Sequence, residues 1–308
     1  MERDTVTAMR ILAAALLSVP ALASAQPYVS AHRGGAAYAP ENTMMAFRNA
    51  ARLHVDDFET DSWLSADGAL VLIHDQDLSR TTNCKGPVTA KTWAELRECD
   101  AGWWFTPGQG VTHPDPALPH PARGRGARIP SAKELFAFAA SFQGDYRPTV
   151  TIEIKDKLAA VREAEALVPL IQNSDIKNRI IVQSFSRVGI DRVKQLDPSI
   201  RTLYLVDEPG TLRPALIEAV HGGHDFIAPD AGMAGFDAAY VQVAHDAGRK
   251  VVPWTIDTQA DVQRMVGYGV DGIISNFPAC LLKLEGRLTT ARLMPEELGE
   301  PDAPLCRR

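Results

Sequence analysis

The chain has 308 residues, 45% of them hydrophobic and 23% charged, which is the composition of a soluble globular protein with material for one large core. Its formal net charge of −6 offers no basic footprint, which argues against nucleic acid as a main partner. Length alone admits one α/β barrel or two smaller domains.

The first stretch reads as a targeting segment. Met9-Arg10 precedes the apolar run Ile11–Val19 and the small-residue site Ala23-Ser24-Ala25, the pattern of a secretory signal cut after Ala25. The run is too short to cross a bilayer stably, so no membrane span is expected in the mature chain. The expected location is therefore outside the cytoplasm, periplasmic or secreted. Export changes how the four cysteines read. Cys84 and Cys99 are expected to pair and staple a local loop, and a Cys280–Cys306 pair is left open.

Next, Tyr28–Ala31 is a short strand that runs into His32-Arg33-Gly34-Gly35. Asn42 or Thr43 caps an amphipathic helix with Met44, Phe47 and Ala51 on one face. A second strand, Asp57–Ser62, and a companion, Leu70–His74, flank the turn Ala66-Asp67-Gly68. Residues 76–128 form a long irregular stretch, read as an inserted subdomain. From Ser131 to Glu285 helices and strands alternate, with strands expected at 149–154, 180–182, 202–205, 225–228, 250–253 and 272–274. Eight strand–helix units over residues 26–287 predict an α/β fold closed into a (β/α)8 TIM barrel, with the insertion after the second strand, and residues 288–308 a loosely ordered tail.

Such a barrel carries its site at the carboxyl ends of the strands. Here those ends hold His32 and Arg33, Glu59 and Asp61, His74 and Asp75, Glu153 and Lys155, Gln183, Asp230, Trp254 and Asn276. Glu59 and Asp61, spaced i, i+2, share one face of a strand. Two carboxylates some 7 Å apart repel by about 2 kcal/mol at an effective dielectric near 20, so a positive group is expected between them. Either a bound cation or Arg33 and Lys155 folding over the pair would serve. With Glu153 the acids form an oxygen-only cluster suited to one hard divalent cation, Ca²⁺ or Mg²⁺. Histidines beside such a centre suit acid–base work. Arg33 and Lys155 supply the fixed charge a phosphate needs, and together these groups suggest phosphodiester cleavage. Gln183 and Trp254 are further candidate substrate contacts. Other readings stay open: His32 closing a turn, His74 as a structural histidine, Glu153 pairing only with Lys155, Trp254 packing the mouth. Asp75 and Asn276 are expected to bond to backbone or to a histidine. Trp103-Trp104-Phe105 either packs the insertion down or lines an apolar substrate path.

The ordered set His32-Arg33-Gly34, Pro40-Glu41-Asn42-Thr43, Glu59-x-Asp61, His74-Asp75, Ile152-Glu153-Ile154-Lys155, Gln183-Ser184-Phe185 and Gly269–Asn276 resembles the glycerophosphodiester phosphodiesterase family over nearly the whole mature chain. The resemblance implies metal-dependent hydrolysis of glycerophosphodiesters to glycerol 3-phosphate and an alcohol. Positions matching Glu59, Asp61 and Glu153 would hold the metal, and those matching His32 and His74 would act as acid and base. The reading leans toward His32 as the acid, without fixing it. The expected partner is a small-molecule glycerophosphodiester. A lysophospholipid is the alternative substrate, which an apolar groove over Trp103, Trp104 and Phe105 would favour.

Overall fold

The computed structural model describes residues 26–289 and 304–307. The leader expected over residues 1–25 and most of the tail expected beyond Arg287 lie outside them. Nine strands are described: β1 Tyr28–Ala31, β2 Asp57–Leu64, β3 Leu70–Leu72, β4 Thr149–Ile154, β5 Ile180–Ser184, β6 Arg201–Val206, β7 Phe226–Pro229, β8 Lys250–Val251 and β9 Gly272–Ser275. All but β3 run parallel, in the order β8-β7-β6-β5-β4-β2-β1-β9, and β3 hangs off β2 as an antiparallel hairpin partner. The gap between β8 and β9 is spanned by single backbone bonds, Asp271 N–H to Val251 O and Ile274 N–H to Pro253 O. Pro253 has no N–H to return, so the ladder thins there. The result is a nearly closed eight-stranded TIM barrel.

Nine α-helices among the described residues accompany the strands: α1 Met44–Leu53, α2 Trp93–Arg97, α3 Ala132–Ala140, α4 Ala160–Gln172, α5 Arg187–Leu196, α6 Leu212–His221, α7 Ala238–Asp246, α8 Gln259–Tyr268 and α9 Pro278–Leu284. The period-2 alternation of each strand divides the core. Phe58, Val150, Ile152, Ile154, Ile180 and Val182 face outward into one large cluster with the helices. Ile181, Leu203, Leu205, Phe226, Val252 and Ile274 fill the barrel interior as a separate cluster. The alternate residues Glu59, Asp61, Glu153 and Gln183 therefore point inward at the strand ends. Pairing sets Asp61 beside Glu153 and Glu153 beside Gln183.

Residues 76–128 are more ordered than the sequence pattern suggests. They hold two 3-10 turns (Leu78–Arg80 and Val88–Ala90) and α2, capped at Thr92 by a reciprocal bond with Glu95. Segments this short show no periodicity to read. Leu78, Val88, Leu96 and Ile129 pack with Val71 and Ile73 into a small core of their own. A disulfide joins Cys84 to Cys99 across 15 residues, and a second joins Cys280 to Cys306. Closing a loop of 15 residues is worth about 3 kcal/mol in the chain-entropy account. Reduction, or the Cys84→Ala/Cys99→Ala double variant, is expected to lower Tm by several degrees in a thermal melt. An unchanged melt would show that this loop holds without its bridge.

Candidate active site

The turn after β1 is built by backbone conformation. Arg33 lies at φ 53° and Gly34 at φ 82°. A side chain at Gly34 would meet the Ala46 Cβ at 2.7 Å, so only glycine fits. The left-handed turn aims the Arg33 N–H at Glu59 Oε2, 2.7 Å away. Asn42, also left-handed at φ 57°, is not the helix cap. That role falls to Thr43, whose Oγ1 accepts from the Ala46 N–H, while Asn42 turns its amide to Asp61 Oδ2 at 2.8 Å and to the Thr60 hydroxyl.

Glu59, Asp61 and Glu153, all buried, each bring a carboxylate oxygen within 4.8 Å of the others. Lys155 Nζ lies 3.1 Å from Glu153 Oε1 and 3.5 Å from Asp61 Oδ1, and Arg33 Nε lies 3.5 Å from Asp61 Oδ2. Both cations therefore fold over the acids, and Lys155 pairs with more than Glu153. The charge is still unbalanced. Burial first, then repulsion from Asp61, pushes the Glu153 carboxyl up to about 8 in spite of Lys155. The same two causes hold Glu59 well above the usual carboxylate range. Asp61 goes the other way: burial opposes its charge, but His74, Lys155 and Arg33 hold it far below. Gln183 Nε2 donates to Glu59 Oε1 at 2.7 Å, which leaves its buried Oε1 without a partner among the described residues. Three clustered carboxylates, two of them raised in proton affinity, beside an orphaned amide oxygen fit a hard divalent cation.

The two histidines are held differently. Asp257 accepts from the Asn276 amide N–H₂ at 2.8 Å, so the Asn276 oxygen faces His32 Nδ1 at 2.7 Å. An oxygen there requires a proton on Nδ1 and leaves Nε2 as a lone pair in the cleft. Burial, helped by Arg33, lowers the His32 pKa to about 3, so the ring is neutral. His74 Nδ1 instead meets the carboxylate of Asp75 at 2.6 Å, and its Nε2 lies 3.0 Å from Lys155 Nζ. Arg80 bonds to Asp75 and also to Glu41, which in turn holds Arg33 at 2.8 Å. The sequence reading missed Glu41 and Arg80 as site supports, and Asp257 with them. Arg80 meets Glu41 across 39 residues and Asp257 meets Asn276 across 19, pairings that no local pattern shows.

All nine candidate site residues other than the cysteines line one cleft of about 610 Å³. Trp254 stands edge-on to Phe185 at 5.4 Å and donates its indole N–H to Ala228 O. Trp63, whose indole donates to His74 O, completes an apolar wall with Phe185, Leu205 and Leu158. The cluster at residues 103–105 is elsewhere. Phe105 is buried with Ala39 and Ala46, and Trp103 and Trp104 stack on the Arg123 guanidinium at 4.3 and 5.3 Å. It packs the insertion down, and no apolar groove of its making enters the cleft.

Residues 32–280 match the model of the Glycerophosphoryl diester phosphodiesterase family. The chain is 34% identical over 263 residues to a glycerophosphodiester phosphodiesterase of Caldanaerobacter subterraneus subsp. tengcongensis, covering 83% of this chain and 96% of that one. It is 28% identical over 266 residues to a glycerophosphodiester phosphodiesterase of Bacillus subtilis, covering 83% and 85%. An Oleispira antarctica phosphodiesterase solved with the product sn-glycerol-3-phosphate superposes with a TM-score of 0.70 at 26% identity, covering 85% of this chain and 96% of that one. A Silicibacter pomeroyi structure shares the fold at TM-score 0.72 and 23% identity, covering 86% and 95%.

Proposed function

Because this chain belongs to the glycerophosphoryl diester phosphodiesterase family, we propose a mechanism in which two histidines and one divalent cation cleave its substrate. The chain is a glycerophosphodiester phosphodiesterase; the products proposed are glycerol 3-phosphate and an alcohol, supported by the product bound in the Oleispira enzyme. The observation that carries the metal is the trio Glu59, Asp61 and Glu153. These residues would hold Ca²⁺ or Mg²⁺, which supplies Lewis-acid polarisation of a phosphoryl oxygen when bound.

Arg33 and Lys155 hold the phosphate between them. With its ammonium drawn to the phosphate, Lys155 leaves His74 Nε2 free to carry a proton. Asp75 accepts from Nδ1 and stabilises the imidazolium, as an acid partner does in a triad. His32 Nε2, already a lone pair, takes the proton of the attacking hydroxyl, either the substrate's own neighbouring hydroxyl or water. His74 gives its proton to the departing alcohol oxygen as the P–O bond breaks. These proposed roles are the reverse of the ones toward which the sequence leans, and the Asn276 oxygen facing His32 Nδ1 supports them. Gln183 positions Glu59, and Trp254 with Phe185 walls the cleft.

We place the mature enzyme in the periplasm or outside the cell. Support comes from the leader pattern and from two disulfides, which persist in oxidising compartments. No helix among the described residues is long and apolar enough to cross a membrane.

The test is product release from glycerophosphocholine with Ca²⁺, with Mg²⁺ and with EDTA. Glycerol 3-phosphate is expected with one or both cations and not with the chelator. Undiminished release in EDTA would remove the metal from the mechanism.

A further inference from the structure

On the outer face of β2, away from the cleft, the Ser62 hydroxyl meets two oxygens. The Glu153 backbone O is 2.8 Å away and Glu163 Oε1, from the first turn of α4, is 2.6 Å away. Ser62 and Glu163 are both fully buried. A serine hydroxyl has one hydrogen. If it serves the Glu153 carbonyl, the short contact to Glu163 needs a hydrogen from Glu163 itself. If it serves an ionised Glu163, the carbonyl faces the hydroxyl oxygen with no hydrogen between them. Only a protonated Glu163 satisfies both contacts.

The surroundings agree. Glu163 Oε2 accepts from the Asp156 N–H at 3.2 Å, and this is its other hydrogen bond. The charged groups acting on it are acids, Asp156 from the β4–α4 loop and Glu153 from β4. The adjacent cation, Lys155, is engaged with Glu153, Asp61 and His74. A carboxylate sealed from water beside two acids and no cation is unfavourable. Burial first, with those like charges, pushes the Glu163 carboxyl up to about 8.

We infer that Glu163 is a neutral carboxylic acid that donates to Ser62, which in turn donates to the Glu153 backbone, and that this relay fixes the end of β4 from behind. Glu163 is thus a positioning residue. Its amide contact holds Asp156, at the start of the loop that follows Lys155, while the Ser62 bond holds Glu153. The positioning role rests on the proposed use of Glu153 and Lys155.

Glu163→Gln keeps the shape, remains neutral and can donate to Ser62 while accepting from Asp156. Its Ca²⁺ affinity and kcat/KM are expected to stay close to wild type. Ser62→Ala breaks the relay and is expected to lose roughly 10-fold or more in Ca²⁺ affinity, in the range for residues that orient metal ligands. Stability gives an independent readout. The folded wild type keeps a proton that the unfolded chain has released between about pH 4.5 and about pH 8. Wild-type stability therefore falls as pH rises through that window. Glu163→Gln lacks this loss, so its Tm advantage is expected to widen from pH 5 to pH 8.5. The other buried acids are common to both proteins and cancel in the comparison. A wild-type-minus-variant infrared difference spectrum at neutral pH should show one protonated-carboxyl band, since the other raised acids, Glu59 and Glu153, are common to both proteins.

A pH-independent Tm difference, or Glu163→Gln losing as much as Ser62→Ala, overturns the inference. Failure of the wild type to bind Ca²⁺ or Mg²⁺ would instead strike the metal reading, and the melts and spectra would still decide the state of Glu163.

Discussion

With p-nitrophenol as the leaving group, His74→Ala is expected to turn over near the wild-type rate, whereas His32→Ala is expected to lose roughly 10²–10⁴-fold. The asymmetry follows from how each ring is held. The Asn276 oxygen at 2.7 Å keeps the proton of His32 on Nδ1, so Nε2 can only accept. His74 donates Nδ1 to Asp75 at 2.6 Å, the arrangement that supports a charged ring able to give a proton from Nε2. Nitrophenolate departs without protonation, so the acid becomes dispensable while the base does not. With choline as the leaving group both variants should fall by comparable factors. The measurement is kcat for the two glycerophosphodiesters in each variant. Losses that do not depend on the leaving group would reject the division of labour. Rescue of His32→Ala instead of His74→Ala would reverse it.

The second large effect is expected from Glu153→Gln. In the wild type, a cation at 100 times its Kd should raise stability by about 2.7 kcal/mol. The variant removes one of three carboxylates that share a 4.8 Å cluster, and most of that gain should vanish with it. Without metal the sign is different. Burial and Asp61 hold the Glu153 carboxyl up at about 8, so ionising it opposes folding as pH rises from about 4.5 to that value. The neutral amide escapes this, and near pH 8.5 the metal-free variant is expected to melt no lower than the wild type. Calorimetric melts with and without Ca²⁺ provide the check. An intact Ca²⁺-induced Tm shift in Glu153→Gln would take this residue out of the ligand set.

The parts of the site carried by strand register were legible in the sequence. An i, i+2 pair such as Glu59 and Asp61 lies on one face of a strand whatever surrounds it. The end of an apolar run is likewise where a barrel exposes chemistry, which brought His32, Glu153, Lys155 and Gln183 to one rim. The barrel itself followed from counting alternating units. The bonds of Asp75 and Asn276 to histidines were anticipated as one of two options, but most of what is fixed by side chains meeting across the fold could not be read. Asn42 looks like a helix cap in sequence, because caps and left-handed turns favour the same residue. Its amide serves Asp61 instead. Glu163 reads as an ordinary first-turn acid of α4, and only the approach of Ser62 reveals its state. The histidine roles were open for the same reason, since the tautomer of His32 depends on which way Asn276 is turned by Asp257.

That last dependence ties the first strand of the barrel to its last. The hydrogen bond that orients His32 comes from a residue 244 positions further along, in the turn that leaves the closing strand. A chain cut short of β9 still carries Arg33, Glu59 and Asp61 but lacks the Asn276 oxygen that faces His32 Nδ1. The role proposed for His32 is therefore completed only by the segment that closes the barrel.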